Sequence, residues 1–435
     1  MRLASSVIAV LLIGSGCGNK APAGDDSMSD GGTGDSGDDD GGHNGQQPTN
    51  VMLTMNHRPT NAAMYSFLVA YRDGGGPWTL APAPTGNNYT LPIYSPAYSV
   101  AWTCIGAAGA TQARQVSEVQ FAISERTALG IDVPPRCTDA YTFVQLRGTI
   151  SNSGPVTTYT VKFGDRTATA NQQNQFTILT QPGTHDLVVL SAGSINIGTD
   201  TVVSNAYVQR NLTVAGTTTV MIDAVNLEPA QSFDVNLLTG GVRDSTATIL
   251  YANGTTAQLV ADATPFYETE SLADDQMIAS DVYDQQMTVA SLGSSVSSSL
   301  ATATPDVLEW TAPPDLGPVT ATAATTPYPR VTSTWTSYAD AIGYTWLGAQ
   351  ATPGVSITWS AQLSTGVIGA NGSYTMPDLS GLAGWNPALQ MSAGTKVSGG
   401  VQAMTSTATG DFPPLVPPIV GTSRTFATGE LSVTP

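Results

Sequence analysis

The stretch Tyr98 to Cys104, YSVAWTC, sends Tyr98, Val100, Trp102 and Cys104 to one side and Ser99, Ala101 and Thr103 to the other. Strict alternation of this kind is the period-two signature of a strand with one face turned to a core. The pattern recurs at Tyr159, Val161 and Phe163, at Phe176 and Ile178, and at Val355, Ile357 and Trp359. Each such strand needs a second layer to cover its apolar face. The surrounding residues suit strands and turns. Charged residues make up 11% of the chain, against about 25% in an ordinary soluble domain. Thr, Ser, Asn and Gln take their place, with 44 Gly and 28 Pro to interrupt helices. The expected fold class is all-β: tandem antiparallel β-sandwich domains after a disordered acidic tether.

Turn signals and shifts in composition divide the chain of 435 residues into units. Residues 18–50 hold seven aspartates and almost nothing apolar, so they cannot bury enough surface to offset their ordering entropy. Residues 51–140 form a first β domain, with MYSFLVAY, NNYTLPIY, YSVAWTC and QVSEVQFAIS as strands. Residues 141–229 form a second, with VQLRGTI, TYTVKFG, NQFTILT, a turn at Gln181-Pro182-Gly183, and HDLVVLSAG. Residues 230–325 form a third, with a hairpin at Asn253-Gly254, an acidic window and a segment rich in Thr, Ala and Pro. Residues 326–435 form a C-terminal sandwich with four of the seven tryptophans.

The net charge of −18, with only three lysines, leaves no basic patch to neutralise phosphates, which excludes nucleic acid as a partner. It also removes electrostatic attraction to anionic lipid, so any membrane attachment has to come from elsewhere.

That attachment is readable at the N-terminus. Val7–Ile13 is an unbroken apolar run of seven, preceded by Arg2 and followed by Gly14, Ser15, Gly16 and Cys17. A run this short cannot span a bilayer, which takes about 20 apolar residues as a helix, but it has the size and flanks of a secretory signal. The small residues directly before a cysteine resemble the lipobox of bacterial lipoproteins, although Gly14 stands where that family prefers Leu. The resemblance implies cleavage before Cys17 and acylation of its sulfur. It further implies an envelope location, at the outer membrane or cell surface. The competing reading is an ordinary signal peptide with Cys17 incidental. With Cys17 assigned to the anchor, Cys104 and Cys137 remain as an even pair in an oxidising compartment, where disulfides persist. The alternative is two buried free thiols.

In residues 141–229 the order G-x-I, strand, F-T-I, then P-G-x-x-D-L-V-V is similar to the transthyretin-like sandwich of carboxypeptidase regulatory-like domains. That resemblance implies a structural or binding module without catalytic residues.

Three candidate sites follow. The acidic window carries Asp262, Glu268, Glu270, Asp274, Asp275, Asp281 and Asp284 without a single Lys or Arg. Hard cations need several carboxylate oxygens at once, so Asp274 and Asp275 are candidate calcium ligands. The competing readings are a solvated acidic face and a glycosidase carboxylate pair. Trp335, Trp346 and Trp359 could form an aromatic platform for sugar rings, or they could be core, since large aromatics dominate core burial. His185-Asp186 reads as a strand-edge pair, because no G-x-S-x-G motif accompanies it. Beyond possible calcium, no cofactor is implied.

The expected function is therefore a non-catalytic binding, adhesion or structural lipoprotein of the envelope, whose partner is an envelope protein or a polysaccharide. A carbohydrate-binding surface protein using the C-terminal aromatics is the first alternative and a secreted hydrolase the second.

Overall fold

A computed structural model describes residues 47–106, 112–153, 158–192, 201–235, 237–239, 244–251, 253–262, 267–273, 276–291, 293–303, 310–368, 371–414 and 418–435. The expected signal segment and residues 18–46 lie outside these. The chain is all-β, and the described α-helix is a single turn, Thr365–Ile368.

Seventeen strands join edge to edge in one ladder. It starts at Thr79–Leu80 and passes through Val69–Asp73, Ala97–Ile105 and Gln112–Ala122. It continues through Val355–Ser364, Gly343–Thr352, Val397–Ser406 and Ser423–Val433. Ser294–Thr302, Val282–Ser291, Asp244–Leu250 and Thr256–Asp262 come next. Thr201–Val214, flanked by Glu228–Pro229, leads to Gly183–Ala192, Thr158–Phe163 and Arg166–Thr169.

Three small sheets lie over this ladder. Thr49–Asn56 sits between Asn88–Ile93 and Ala128–Asp132. Val144–Ser151 sits between Gln175–Thr180 and Thr218–Asp223. Arg330–Thr336 sits between Thr320–Ala324 and Asn371–Thr375. Each closes a core of its own, which is the sheet-on-sheet solution to alternating strands. Val51, Leu53 and Met55 of the first meet Tyr98, Val100 and Phe121 of the ladder. Leu146, Phe176 and Ile178 of the second meet Val161, Phe163 and Leu187. Val331, Trp335 and Tyr374 of the third meet Val116, Trp346 and Trp359.

The ladder crosses the boundaries expected from composition. Val355–Ser364 runs parallel to Gln112–Ala122, with Trp359 opposite Val116 and Ala361 opposite Glu118. Ser423–Val433 lies between Val397–Ser406 and Ser294–Thr302. Residues 326–435 thus share hydrogen bonds with both 51–140 and 230–325. Antiparallel pairing dominates, but Ala128–Asp132 and Thr218–Asp223 also pair in parallel within their small sheets.

Two strands differ from their expected form. Met64–Tyr71 is expected to be one strand, yet pairing begins only at Val69. Residues 62–66 turn instead, with Ser66 in the left-handed region at φ 46°. Tyr65 and Phe67 reach the core from this irregular segment, and an apolar run without alternation does not reveal which conformation buries it. Ala97–Ile105 is buried on both faces, because Ser99 and Thr103 are covered as fully as Tyr98 and Val100. Its place inside the ladder, under two different cores, removes the solvent face that alternation implied.

Cys104 and Cys137 form a disulfide with Cα atoms 5.5 Å apart, and both residues are buried. The bond ties a ladder strand to the turn Pro135–Cys137 across a separation of 33 residues. Constraining a loop of that length in the unfolded chain contributes about 3–4 kcal/mol on the chain-entropy model. Replacing both cysteines by alanine is expected to lower the unfolding free energy by about that amount in urea titrations. The variant's unfolding curve should match that of the reduced wild type.

Candidate functional site

The tryptophans proposed as a sugar platform are core. Trp335, Trp346 and Trp359 are 5%, 0% and 1% exposed. Trp346 Nε1 donates to Ser333 Oγ at 2.9 Å, and Trp359 Nε1 donates to the Leu389 carbonyl at 3.0 Å. Trp335 lies so close under Gly372 that a Cβ there would fall 2.1 Å from its Nε1. A ring enclosed in this way offers no face to a sugar, so the expected platform on these three residues is corrected: they fill the space between a small sheet and the ladder.

Asp274 and Asp275, the candidate calcium ligands, lie outside the described residues. Two other carboxylates of the window are built into the fold. Asp281, fully buried, pairs with Arg210 at 2.6 Å. Asp284 sits in the ladder strand Val282–Ser291, where burial raises its pKa against the opposing effects of a Ser299 hydrogen bond and Arg424. Among the described residues, no group of three or more His, Cys, Asp or Glu is arranged to hold a metal.

His185 and Asp186 point to structure as well. Asp186 accepts from Arg210 Nη1 at 2.8 Å, from the Asn211 backbone N–H at 2.8 Å and from Asn253 Nδ2 at 2.6 Å. His185 Nδ1 contacts the Asn253 carbonyl at 2.8 Å. Arg210 also bonds the Gln276 carbonyl and packs on the Tyr251 ring, 5.0 Å from its centroid. One guanidinium thereby joins Gly183–Ala192, Thr201–Val214, the 251–255 turn and the 276–281 segment.

A third buried group went unnoticed in the sequence. Glu118 stands in Gln112–Ala122 and is fully enclosed. Its carboxyl accepts from Gln120 Nε2 at 2.7 Å and from Tyr374 Oη at 2.9 Å. Tyr374 belongs to the overlying small sheet and packs on Trp346 with ring centroids 4.9 Å apart. Burial raises the Glu118 pKa to about 7, and the two hydrogen bonds and the charge of Arg72 only partly offset it. Alternation around VSEVQF places Glu118 on the same face as Val116, but nothing in that stretch shows that a tyrosine more than 250 residues away meets it.

Among the described residues an open cleft of about 560 Å³ lies between the first unit and the 383–387 loop. Its walls are Ala62, Ala63, Ser66 to Val69, the strip Leu80-Ala81-Pro82-Ala83-Pro84, Tyr89, and Ala383 to Pro387. That volume is in the range of ligand pockets, which are lined mainly by apolar side chains with a few polar groups. Trp385 is half-buried here and packs on Tyr328 with ring centroids 6.0 Å apart. Asn386 Nδ2 donates to Ser66 Oγ at 2.7 Å and closes the two walls on each other. The arrangement can bind but carries no acid, base or nucleophile pair. Its signal in the sequence was the Pro-Ala strip beside Trp78, which composition alone presents as a turn. No family model matches the chain, and the curated proteins compared with it include no match.

Glu118 makes stability depend on pH with a definite sign. A carboxyl whose pKa is higher folded than unfolded binds its proton more tightly in the native state, so it costs stability as pH rises. The cost begins near the unfolded value of about 4.5 and is complete above about 7, where it reaches roughly 3 kcal/mol. Glu118→Gln should therefore gain stability over wild type between those pH values and show no gain below pH 4, in parallel thermal melts. Arg210→Met should cost about 3–5 kcal/mol, because it strands two buried carboxylates. Adding Asp186→Asn and Asp281→Asn to it should restore much of the loss in the same assay.

Proposed function

We propose that the chain is an exported lipoprotein, anchored through acylated Cys17, whose β body serves as a non-catalytic binding module at the outer membrane or cell surface. The observation that carries this reading is the apolar run Val7–Ile13 followed by Gly14, Ser15, Gly16 and Cys17. Two acyl chains or more hold a protein stably, since each buried CH₂ contributes about 0.8 kcal/mol. The Cys104–Cys137 disulfide supports an oxidising compartment. The Gly- and Asp-rich residues 18–50 support a spacer, since like charges extend a flexible chain. The engagement of Asp186 with Arg210, and of His185 with a backbone carbonyl, supports a scaffold role for the one His-Asp pair in the sequence. On this reading the 62–89 and 383–387 cleft is the binding surface, and the partner is a component of the envelope.

Metabolic labelling with a radioactive fatty acid tests the anchor. Wild type should carry label and sediment with membranes, and Cys17→Ser should carry none and lose its membrane association. Unlabelled wild type in the cytosol with residues 1–17 intact would overturn the reading.

A further inference from the structure

The second small sheet has an unguarded edge. Thr218–Asp223 pairs with Val144–Ser151 on one side, without a bulge, and among the described residues it pairs with nothing on the other. Alternate residues of a strand turn both N–H and C=O to the same side, so half of this strand's backbone groups point outward. Proteins usually blunt such an edge with Lys, Pro or a bulge. Asn88–Ile93, an edge of the first small sheet, carries Pro92. From Ala215 to Asn226 the chain has no Lys, Arg or Pro. Its one charged side chain, Asp223, accepts from Asn152 Nδ2 and from the Val225 N–H, both within its own unit. Apolar side chains stand at the edge instead. Met221 is 81% exposed and Val225 72%, the two highest values among the described large apolar residues.

Outward backbone groups call for an extended strand, and this strand's own sequence fits that need. Two copies of Thr218–Asp223, antiparallel about a two-fold axis through Met221, set Met221 opposite Met221, Val220 opposite Ile222 and Thr219 opposite Asp223. Apolar side chains then meet apolar ones, and each carboxylate meets a hydroxyl. The two Asp223 residues fall at opposite ends of the pairing, about 14 Å apart along the strand at about 3.4 Å a residue. A parallel arrangement would set them side by side. A two-fold contact uses the same patch on both chains and closes as a dimer. We propose that a second copy of this chain adds to the Thr218–Asp223 edge, joining two three-stranded small sheets into one. The strip is short and each chain carries a net charge of −18, so the dimer forms where salt screens the repulsion. The proposal is independent of acylation at Cys17 and of the cleft.

The test is sedimentation velocity of the full-length Cys17→Ser protein over a range of concentrations. It is run at about 0.01 M and about 1 M salt, between which the screening length falls from about 30 Å to about 3 Å. A monomer–dimer equilibrium is expected, at least tenfold tighter at the higher salt. Met221→Lys lowers the net negative charge yet places two ammonium groups opposite each other on the axis. It should weaken the dimer at least tenfold with an unchanged Tm, whereas relief of bulk repulsion alone would tighten it. Met221→Cys in the same background should form an intermolecular disulfide under mild oxidation. Thr177→Cys, exposed on the opposite edge strand Gln175–Thr180, should not. A monomer at every salt and concentration, a dimer that survives Met221→Lys, or equal cross-linking at 177 and 221 overturns the proposal.

Discussion

Gln112–Ala122 must have a hydrogen-bonding partner on each side, and the rest of the fold follows from how it gets them. Eight consecutive residues of this strand, Gln115 to Ala122, are buried, so no backbone N–H or C=O there can fall back on water. Ala97–Ile105 supplies one side as an ordinary antiparallel neighbour. The other side is filled by Val355–Ser364, in parallel and from more than 200 residues away. A parallel partner cannot be reached by a tight turn, so the intervening chain has to travel and return. In doing so it lays down the second and third cores along the same ladder. A one-residue slip at this pairing would exchange every residue of the strand between two faces, each of which is already filled.

The seams are where that register is enforced, and each holds a buried polar group that tolerates one arrangement. Glu118 and Tyr374 lock the third small sheet onto the ladder. Asp186, Arg210 and Asp281 lock the second unit onto the third. Asp411 and Arg424 form a two-pronged pair, with 2.6 Å on each prong, at the base of the loop that leads into the last strand. Buried ion pairs add little net stability over apolar side chains of the same shape, but leaving one partner alone is costly. Misregistered pairings of these sheets would strand a charge in the core. We read these groups as devices for specificity, placed where apolar packing alone would allow sheets to slide.

Local structure was legible in the sequence to the extent that it is local. The alternation in TYTVKFG, NQFTILT and VSITWSAQL marks strands that the structure has at Thr158–Phe163, Gln175–Thr180 and Val355–Ser364. Asn253-Gly254 marks a real hairpin, with Gly254 at φ 87° where a side chain would be strained. Long-range pairing was not legible, because alternation states that a strand has a covered face and is silent about what covers it. Turn signals and shifts in composition mark units along the chain, and they are silent about the parallel joint between Gln112–Ala122 and Val355–Ser364. Tryptophans failed as site markers for a related reason: alternation with Thr and Ser describes equally a ring over a core and a ring over solvent. The cleft was illegible because its two walls, Ser66 and Asn386 among them, are separated by 320 residues.

Low charge and an all-β body are linked by the outer faces of the small sheets. On the third, Thr320, Thr334 and Ser373 lie side by side, and Thr322, Thr332 and Thr375 form the next row. Thr320 bonds Thr334 at 2.6 Å and Thr332 bonds Thr375 at 3.0 Å across the strands. Threonine satisfies two demands at once here, since its branched carbon fits the pleat and its hydroxyl is solvated. Lysine or glutamate would meet the second demand at some loss in the first. A surface solvated by hydroxyls also lacks the charged side chains with which proteins usually discourage edge-to-edge association. The net charge of −18 takes over part of that role through mutual repulsion between molecules.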